Sequence, residues 1–485
     1  MSQPQGTPSR SLRVWRTLGT RFLPFADVAT AELPLSRLLR LSMFQLSVGM
    51  VQTLFVGTLN RVMILELRVP ASLVAIMLAI PLLAAPFRAL IGFKSDTYRS
   101  ILGWKRVPFL WGGTMLQFAG LSMMPFALLV LSDGPRVGPA WLGHAGTALA
   151  FLLVGTGAHT TQTAGLALAT DIVSEDKRPR VVALMYLMML LGTLISAVCL
   201  EWLLRDFNSL RLIQVIQGTA VFTIVTNVVS LWKQEARVRG VVEYAKGERR
   251  PMFREAWRTF AGGGRAVRLL VASGLGFFAF NLQDVLLEPY GGEILGLSVS
   301  QTTLLTGIMA IGAVAAFGLS AVLLRRQRDP IRLAALGVLI GIVGFAMIVF
   351  ASPLDAPMMF RLGTATIGFG EGFFGVGTLS YAMRLRDPTQ HGIALGAWGA
   401  VFATAEGLSF ALSGVAKDWL SHLVARGALG PVLSVPSVPY SAVYVVEILV
   451  LFATLVALGP LVVRRVERAS LESAPSSFGL ADIPA

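Results

Sequence analysis

The sequence is poor in charged side chains. They make up 14% of its 485 residues, whereas a typical soluble domain carries about 25%. Hydrophobic residues reach 54%, and the mean hydropathy is +0.69. This composition excludes an ordinary soluble domain and predicts a membrane protein. The single cysteine, Cys199, excludes a disulfide within the chain, and because it lies in an apolar run we expect it to pack as a small residue.

The sequence also lacks the residue clusters on which enzymes and metal sites depend. Its four histidines are scattered, and it has no metal-ligand spacing, phosphate-binding loop or hydrolase elbow. The run at 370–375 formally matches a dinucleotide fingerprint, but it lies within an apolar run and follows no strand. We interpret this glycine repeat, which continues to Gly377, as a close helix–helix face. The sequence therefore predicts neither an enzyme nor a metal-binding protein.

About twelve apolar runs fill most of the chain, and each is close to the roughly 20 residues that a membrane-spanning helix needs. They predict an all-α polytopic fold with twelve transmembrane helices. We place these spans near residues 41–64, 70–92, 107–131, 145–169, 181–203, 211–232, 268–289, 302–324, 332–351, 358–382, 393–415 and 441–463.

Positive charge is concentrated in every second gap between the apolar runs. Of the 41 Lys and Arg residues, 32 fall in the two tails and in the gaps after the even-numbered runs. Cytoplasmic loops retain Lys and Arg, so both termini are predicted to be cytoplasmic. The same bias explains the net charge of +14 without a nucleic-acid partner. Attraction to anionic lipid headgroups follows from it.

The predicted spans divide into two halves of six. The longest gap, 233–267, is a basic cytoplasmic loop between a half at 40–232 and a half at 268–463. An interfacial basic segment at 1–39 precedes them, and a disordered tail at 464–485 follows. The halves echo each other, because GTGAH at 155–159 resembles GFGEG at 368–372. This pattern resembles the major facilitator fold, in which substrates bind near the membrane midplane.

The loop between the second and third spans carries a candidate gate. Gly92 and Asp96 have the spacing of the facilitator signature, and basic residues with a further glycine follow. Glycine permits a tight helix end, and the carboxylate can bind helix starts or arginines, so the loop could latch the cytoplasmic side. The alternative is an ordinary basic loop. The candidate gating residues are Arg88, Gly92, Asp96, Arg99, Gly103, Lys105 and Arg106. Arg88 would either pair with Asp96 or extend to the interface.

Five short motifs carry a family resemblance. They are FAD at 25–27, TAELPL at 30–35, GTLNRVM at 57–63, APFRALIG at 85–92 and GWKRVP at 103–108. Together they closely resemble the PucC/LhaA proteins of purple phototrophic bacteria, a bacteriochlorophyll-delivery branch of the major facilitator superfamily. The resemblance is strongest over 22–130 and continues to about 463. The late glycine of the loop, Gly103, belongs to that branch's own version of the signature.

Polar residues inside the apolar runs are candidate cargo contacts, because charges are costly in a bilayer and usually face the protein interior. Glu371 and Glu406 have Gly and Ala neighbours, which suit close helix contact. They either line a central cavity, where they contact cargo or a proton, or serve as packing acids. Asn60 and Arg61 form a second candidate pair, although Arg61 could instead extend outward beside Glu66.

Two further candidates lie near the end of the seventh predicted span. Gln283 and Asp284 precede Glu288, Pro289 and Tyr290. Pro289 is expected to break the helix there. This polar group is either a ligand site or a structural helix end, and the sequence favours neither.

His159 is the histidine that lies within a span. A neutral imidazole is a good metal ligand, so it is a candidate axial ligand for the magnesium of a bacteriochlorophyll. The favoured alternative is a histidine that bonds to a neighbouring threonine or glutamine.

The resemblance implies a function in the assembly of light-harvesting complexes. The protein would bind or deliver bacteriochlorophyll to antenna polypeptides in a bacterial inner or intracytoplasmic photosynthetic membrane, without covalent chemistry. Pigment could pass through a central cavity or be offered on an outer helix face. The alternative function is a proton-coupled transporter of a small or amphipathic solute, in which Glu371 and Glu406 would bind the proton.

The charge pattern makes a direct prediction about topology. Single cysteines introduced at Ser2 and Ser470, in a background in which Cys199 is replaced by Ala, should both react with a membrane-impermeant thiol reagent only after the membrane is opened, because both lie on the cytoplasmic face. Labelling of one terminus in sealed spheroplasts would contradict the predicted orientation.

Overall fold

All regular elements in the described part of the chain are helices. The computed structural model describes residues 34–83, 104–133, 140–173, 178–235, 264–383 and 391–462. The α-helices are α1 Leu35–Leu54, α2 Ala71–Leu83, α3 Val107–Asp133, α4 Ala140–Asp171, α5 Arg178–Leu203, α6 Ser209–Leu231, α7 Gly264–Asn281, α8 Leu287–Glu293, α9 Val299–Arg325, α10 Pro330–Ala351, α11 Pro357–Met383, α12 His391–Ala425 and α13 Val438–Leu458.

Ten helical segments among the described residues are long and apolar enough to cross a membrane. Inside a bilayer the backbone has no water to bind, so an apolar chain satisfies its amides by forming helices. Two predicted spans fall outside this set of ten. The span at 70–92 corresponds to α2, which has 13 described residues, and the span at 358–382 corresponds to α11. The all-α fold is therefore confirmed, and the count of twelve spans stays a prediction.

Several predicted boundaries differ from the observed helix ends. α1 begins at Leu35, inside the predicted interfacial segment, and α12 continues to Ala425, ten residues past its predicted end. Most of the interfacial segment, the central basic loop and the C-terminal tail lies at 1–33, 236–263 and 463–485, outside the described residues.

Cys199 does not pack in the interior, so that expectation was wrong. It is exposed on α5. Its neighbours Ile195, Val198 and Trp202 are also exposed, with relative exposures of 55%, 50% and 66%. The apolar run around Cys199 therefore has an outward face, as a lipid-contacting helix requires.

α1 does not end as an ordinary α-helix. It continues through two π-helical turns, Phe55–Leu59 and Val62–Glu66. The Leu67 amide bonds to the Val62 carbonyl at 3.0 Å, five residues back. π turns are rare and often occur at functional sites, so the distal end of α1 is a candidate functional region.

The chain folds into two compact units. The first contains α1 to α6, residues 284–310, which include α8 and the start of α9, and residues 410–437. The second contains α7 with the turn up to Gln283, the rest of α9 and α12, and the helices α10, α11 and α13.

In each unit, helices come into close contact through glycines on both partners. In the first unit, a Cβ on Gly157 of α4 would lie 2.6 Å from the Gly113 carbonyl of α3. In the second unit, a Cβ on Gly370 of α11 would lie 2.6 Å from the Gly337 carbonyl of α10. Gly377 also packs against α10, so the interpretation of the glycine repeat as a helix contact face is confirmed. The segments 155–159 and 368–372, which resemble each other in sequence, thus have the same packing role.

Gly370→Ala should destabilise the second unit. The added methyl would lie 2.6 Å from the Gly337 oxygen and 2.7 Å from the Gly341 nitrogen, and overpacking of this kind costs about 1–3 kcal/mol. Gly318→Ala on α9 is the matched control, because a Cβ there meets nothing within 4 Å and the higher helix propensity of alanine should add about 0.5–1 kcal/mol. Thermal unfolding of the detergent-solubilised chain checks this, and equal midpoints for the two variants would contradict it.

Candidate functional site

The first unit has clusters of polar contacts at both ends of α1. We call those near its start the clamp, which comprises Arg37, Lys105, Arg106, Asp171, Gln234 and Glu235. We call those near its end the π-turn cluster, which comprises Gly57, Thr58, Asn60, Arg61, Glu66, Glu288, Thr303 and Thr306.

Glu235 is the centre of the clamp. Its carboxylate accepts hydrogen bonds from the backbone amides of Lys105, Arg106 and Val107 at 2.7–3.0 Å. These are the free amides at the start of α3, where the positive end of the helix dipole favours an anion. A residue that follows α6 therefore caps the start of α3.

Two further contacts complete the clamp. The Arg106 Nε donates to the Asp171 carboxylate at the end of α4 at 3.0 Å, and the Lys105 Nζ lies 3.9 Å from the same oxygen. The Arg37 guanidinium donates to the Gln234 backbone oxygen at 2.7 Å. The clamp therefore joins the ends of α1, α3, α4 and α6.

Two of the candidate gating residues belong to the clamp. The side chains of Lys105 and Arg106 contact Asp171, and their backbone amides bind Glu235. Arg88, Gly92, Asp96, Arg99 and Gly103 lie outside the described residues, so the gate itself and the Arg88–Asp96 pair stay predictions. Asp171 and Glu235 were missed by the sequence analysis, although each is an acid directly after an apolar run.

At the other end of α1, Asn60 and Arg61 are both buried and bonded. The Asn60 amide donates to the Val285 carbonyl at 2.8 Å. Arg61 donates to the Glu66 carboxylate at 2.8 Å and to the Leu297 carbonyl at 3.3 Å. Arg61 lies beside Glu66, as one alternative proposed, but it is 6% exposed and does not extend into solvent.

The threonines of α9 pack on the first π turn. Thr303 donates to the Gly57 carbonyl at 3.1 Å and shares a hydrogen bond of 3.0 Å with Thr58. Thr306, one turn later, donates to the Glu288 carboxyl at 2.9 Å. A Cβ on Gly57 would lie 2.4 Å from the Thr306 hydroxyl, so glycine is required for this approach.

The helix break predicted at Pro289 occurs earlier, which corrects that expectation. Residues Leu282–Val285 form a 3-10 turn, and Pro289 lies inside α8, near its start. Proline is tolerated in the first turn of a helix because the amide it lacks has no intrahelical acceptor there. Gln283 is fully buried in the 3-10 turn and Asp284 is half-buried. Asn60 donates to the carbonyl of Val285, the residue after Asp284. The fold therefore brings the candidates Asn60 and Asp284 close together.

A second carboxylate–helix contact lies on the long extension of α12. Asp418 accepts hydrogen bonds from the Ala71 amide at 3.3 Å and the Ser72 amide at 2.7 Å. It therefore caps the start of α2, and its neighbour Lys417 lies 3.9 Å from Glu293 at the end of α8. In the sequence, Lys417 and Asp418 directly follow an apolar run, and this pattern could have identified the contact.

Glu201 near the end of α5 makes a similar contact with the start of α9. It accepts a hydrogen bond of 3.3 Å from Ser300 and pairs with Arg205 at 3.1 Å.

The remaining candidates lie outside both polar groups. His159 is half-buried on α4, and its backbone carbonyl accepts a hydrogen bond from Thr163 at 2.7 Å. Glu371 and Glu406 are half-buried in the second unit. Gly372, next to Glu371, packs against Ala313 and Ala316 of α9, as the small-neighbour argument predicted. Cargo binding by these three residues stays a prediction.

Sequence comparison places these features in a known family. The family model described as PUCC protein matches residues 58–466. The chain is 50% identical over 479 residues to a protein in the puhA-bchM intergenic region of Rhodobacter capsulatus, with 98% of this chain and 99% of that protein covered. It is 53% identical over 405 residues to Protein PucC of Rhodovulum sulfidophilum, with 83% and 89% covered. The bacteriochlorophyll synthase 44.5 kDa chain of Rhodobacter capsulatus is 26% identical over 391 residues, with 79% and 87% covered.

Structural comparison identifies the fold. The POT family transporter PepTSo matches with a TM-score of 0.65 at 11% sequence identity, over 90% of this chain and 99% of that chain. At this identity the match shows the fold alone. Together with the apolar helices it indicates a multi-pass membrane protein with a fold like that of major facilitator transporters.

The clamp predicts unequal coupling of two neighbouring cations to Asp171. A double-mutant cycle of Arg106→Ala with Asp171→Asn should give a coupling of about 1 kcal/mol, because Arg106 is buried but Asp171 is 41% exposed and partly screened. The same cycle with Lys105→Ala should give less than about 0.5 kcal/mol, since that pair is longer and more exposed. Equilibrium unfolding in mild detergent measures both, and a larger coupling for Lys105 would contradict the described geometry.

Proposed function

Because the chain belongs to the PUCC protein family, we propose that it is an assembly factor for a bacterial light-harvesting antenna complex. It would bind bacteriochlorophyll and deliver it to antenna polypeptides in the membrane. The observation that carries this proposal is the extent of the family match, which covers both predicted halves rather than one motif. The relative named for bacteriochlorophyll synthesis supports the choice of cargo. Fold similarity alone would not, because one fold hosts many functions.

The second unit contains an aromatic cluster, part of which suits contact with a flat conjugated ring. The Phe277 ring lies 5.1 Å from Phe374, 5.4 Å from Trp398 and 4.7 Å from Phe402, measured between centroids. Trp398 and Phe402 are half-buried and nearly parallel, with an interplanar angle of 9°. Aromatic rings attract one another in offset-stacked arrangements, which supports this half-buried pair as a pigment contact.

The first unit offers a candidate ligand for the pigment magnesium. His159 is half-buried on α4, so part of its surface is open to a bound molecule. Imidazole nitrogen is a good metal ligand. We therefore keep His159 as the residue to test first.

The proposed location is the bacterial inner or photosynthetic membrane, with twelve spans and both termini in the cytoplasm. The tryptophans support the assignment of these helices as membrane spans, because tryptophan is enriched at both membrane interfaces. Trp202 and Trp419 are 66% and 62% exposed near the ends of α5 and α12, which the charge pattern places on the outer side. Trp111 and Trp232 are 44% and 60% exposed near the start of α3 and the end of α6, which it places on the inner side.

The second candidate function is proton-coupled transport of a small or amphipathic solute. The fold similarity to transporters favours it, and Glu371 and Glu406 would be the proton-binding acids. In that case Glu371→Gln and Glu406→Gln would abolish solute uptake into energised vesicles but leave antenna levels unchanged.

Mild purification of the full chain from a phototrophic membrane tests the proposed function. We expect bacteriochlorophyll in stoichiometric amount, read from the absorption spectrum, together with antenna polypeptides. His159→Leu should lower the pigment content, because it removes the candidate ligand. His422→Leu, at an exposed position on α12, is the matched control and should leave the pigment content unchanged.

Two results would contradict this proposal. One is a colourless, partner-free protein from cells that are actively building antenna. The other is a deletion strain without related genes that still makes normal amounts of pigmented antenna. Full pigment content in His159→Leu would overturn only the assignment of the ligand.

A further inference from the structure

Glu288 is a buried acid that the proposed function does not use. It lies in the first turn of α8 and is 1% exposed. One carboxyl oxygen accepts a hydrogen bond from the Thr306 hydroxyl at 2.9 Å, whereas the other, Oε2, has no hydrogen-bond partner among the described residues. None of the ion pairs between described residues includes Glu288.

We propose that Glu288 is a proton-binding site that communicates its charge state to the π turns of α1. A carboxylate buried without a cation is strongly disfavoured, so a group in this environment takes up a proton when it can. The free Oε2 is the position at which that proton would bind. The site is distinct from the acids Glu371 and Glu406, which belong to the second unit.

The surroundings of Glu288 suit a proton better than a metal cation. A metal ion in an oxygen site needs several ligands with free lone pairs. The neighbour that touches the carboxyl is Thr306, whose hydroxyl donates its hydrogen to Glu288. Among the described residues no group of three or more His, Cys, Asp or Glu side chains could hold a metal ion.

Thr306 connects Glu288 to α1. Its hydroxyl lies directly against Gly57, where a Cβ would come within 2.4 Å of it. Thr303, one turn earlier on α9, bonds to the Gly57 carbonyl and to Thr58. An ionised Glu288 would bind the Thr306 hydroxyl more strongly and would need a second donor at Oε2. A change at this carboxyl therefore acts on the contact between α9 and the first π turn.

The other charged groups around Glu288 are already paired or distant. Arg61 approaches the next turn of α8, where a Cβ on Gly292 would lie 2.9 Å from its Nε. Its charge is balanced by Glu66. Glu293 lies near Lys417, and Asp284 is one turn before Glu288. α9 carries no charged residue before Arg325 at its far end. Among the described residues, no cation is thus left to hold Glu288 in the ionised form.

Infrared spectroscopy of the full chain in lipid nanodiscs tests this proposal. The wild type should show a carboxylic-acid C=O band that grows on acidification and shrinks on alkalinisation. In the difference between the wild-type and Glu288→Gln spectra, one component of that band should be missing from the variant. Glu447→Gln, which changes another fully buried acid on α13, is the matched control and should retain it.

Variants of Thr306 supply a second, milder test in case Glu288→Gln does not fold. Thr306→Val should move the pH midpoint of the band away from the wild-type value, because it removes the hydroxyl that donates to the carboxyl. Thr306→Ser keeps the hydroxyl and should restore the wild-type midpoint.

Three results would overturn the proposal. They are a carboxylic-acid band in Glu288→Gln that is identical to the wild-type band, a midpoint that is identical in the Val and Ser variants at Thr306, and a midpoint that moves with sodium concentration, which would assign the site to a metal cation. Neither pigment nor antenna polypeptides enter this experiment, so its failure would leave the assembly function untouched.

Discussion

The free amides at the starts of helices are the constraint on which the described contacts depend. A bilayer supplies no water to bind them, so the protein must provide an acceptor or place the helix start at the interface. Asn208 and Asp329 cap α6 and α10 from the adjoining residue in the chain. Glu235 and Asp418 cap α3 and α2 from more than one hundred residues away. The distant caps fix which helices adjoin, because each carboxylate bonds to only one helix start.

This difference explains how much of the structure could be predicted. A local cap adjoins its helix in the sequence, and an apolar run is continuous along the chain. The sequence therefore predicts the helices and most of their limits. The glycine repeat around Gly370 was also interpretable, because small residues at helical spacing have one common use. The partners of Arg106 were not predictable, since any acid near a span end on the same side was a candidate.

The departures from regular helices were also invisible in the sequence. Nothing in the residues Phe55–Leu59 indicates a π turn, and the 3-10 turn at Leu282–Val285 precedes the proline that was expected to cause the break. Both arise from tertiary contacts, since the Gly57 and Val285 carbonyls gain partners from other helices. The candidate cargo residues His159, Glu371 and Glu406 were identified as polar groups in apolar runs, a criterion that locates them without assigning a ligand.

The length of α12 has a consequence for the membrane around the protein. Its 35 residues span about 52 Å at the rise of an α-helix, against a hydrocarbon thickness of about 30 Å. The helix must tilt or extend well beyond the acyl chains, and the residue that caps α2 lies on its distal third. A thinner or thicker bilayer would change that tilt. Lipid composition would therefore affect the contact between Asp418 and the start of α2. In this way the protein would respond to the thickness of the membrane around it.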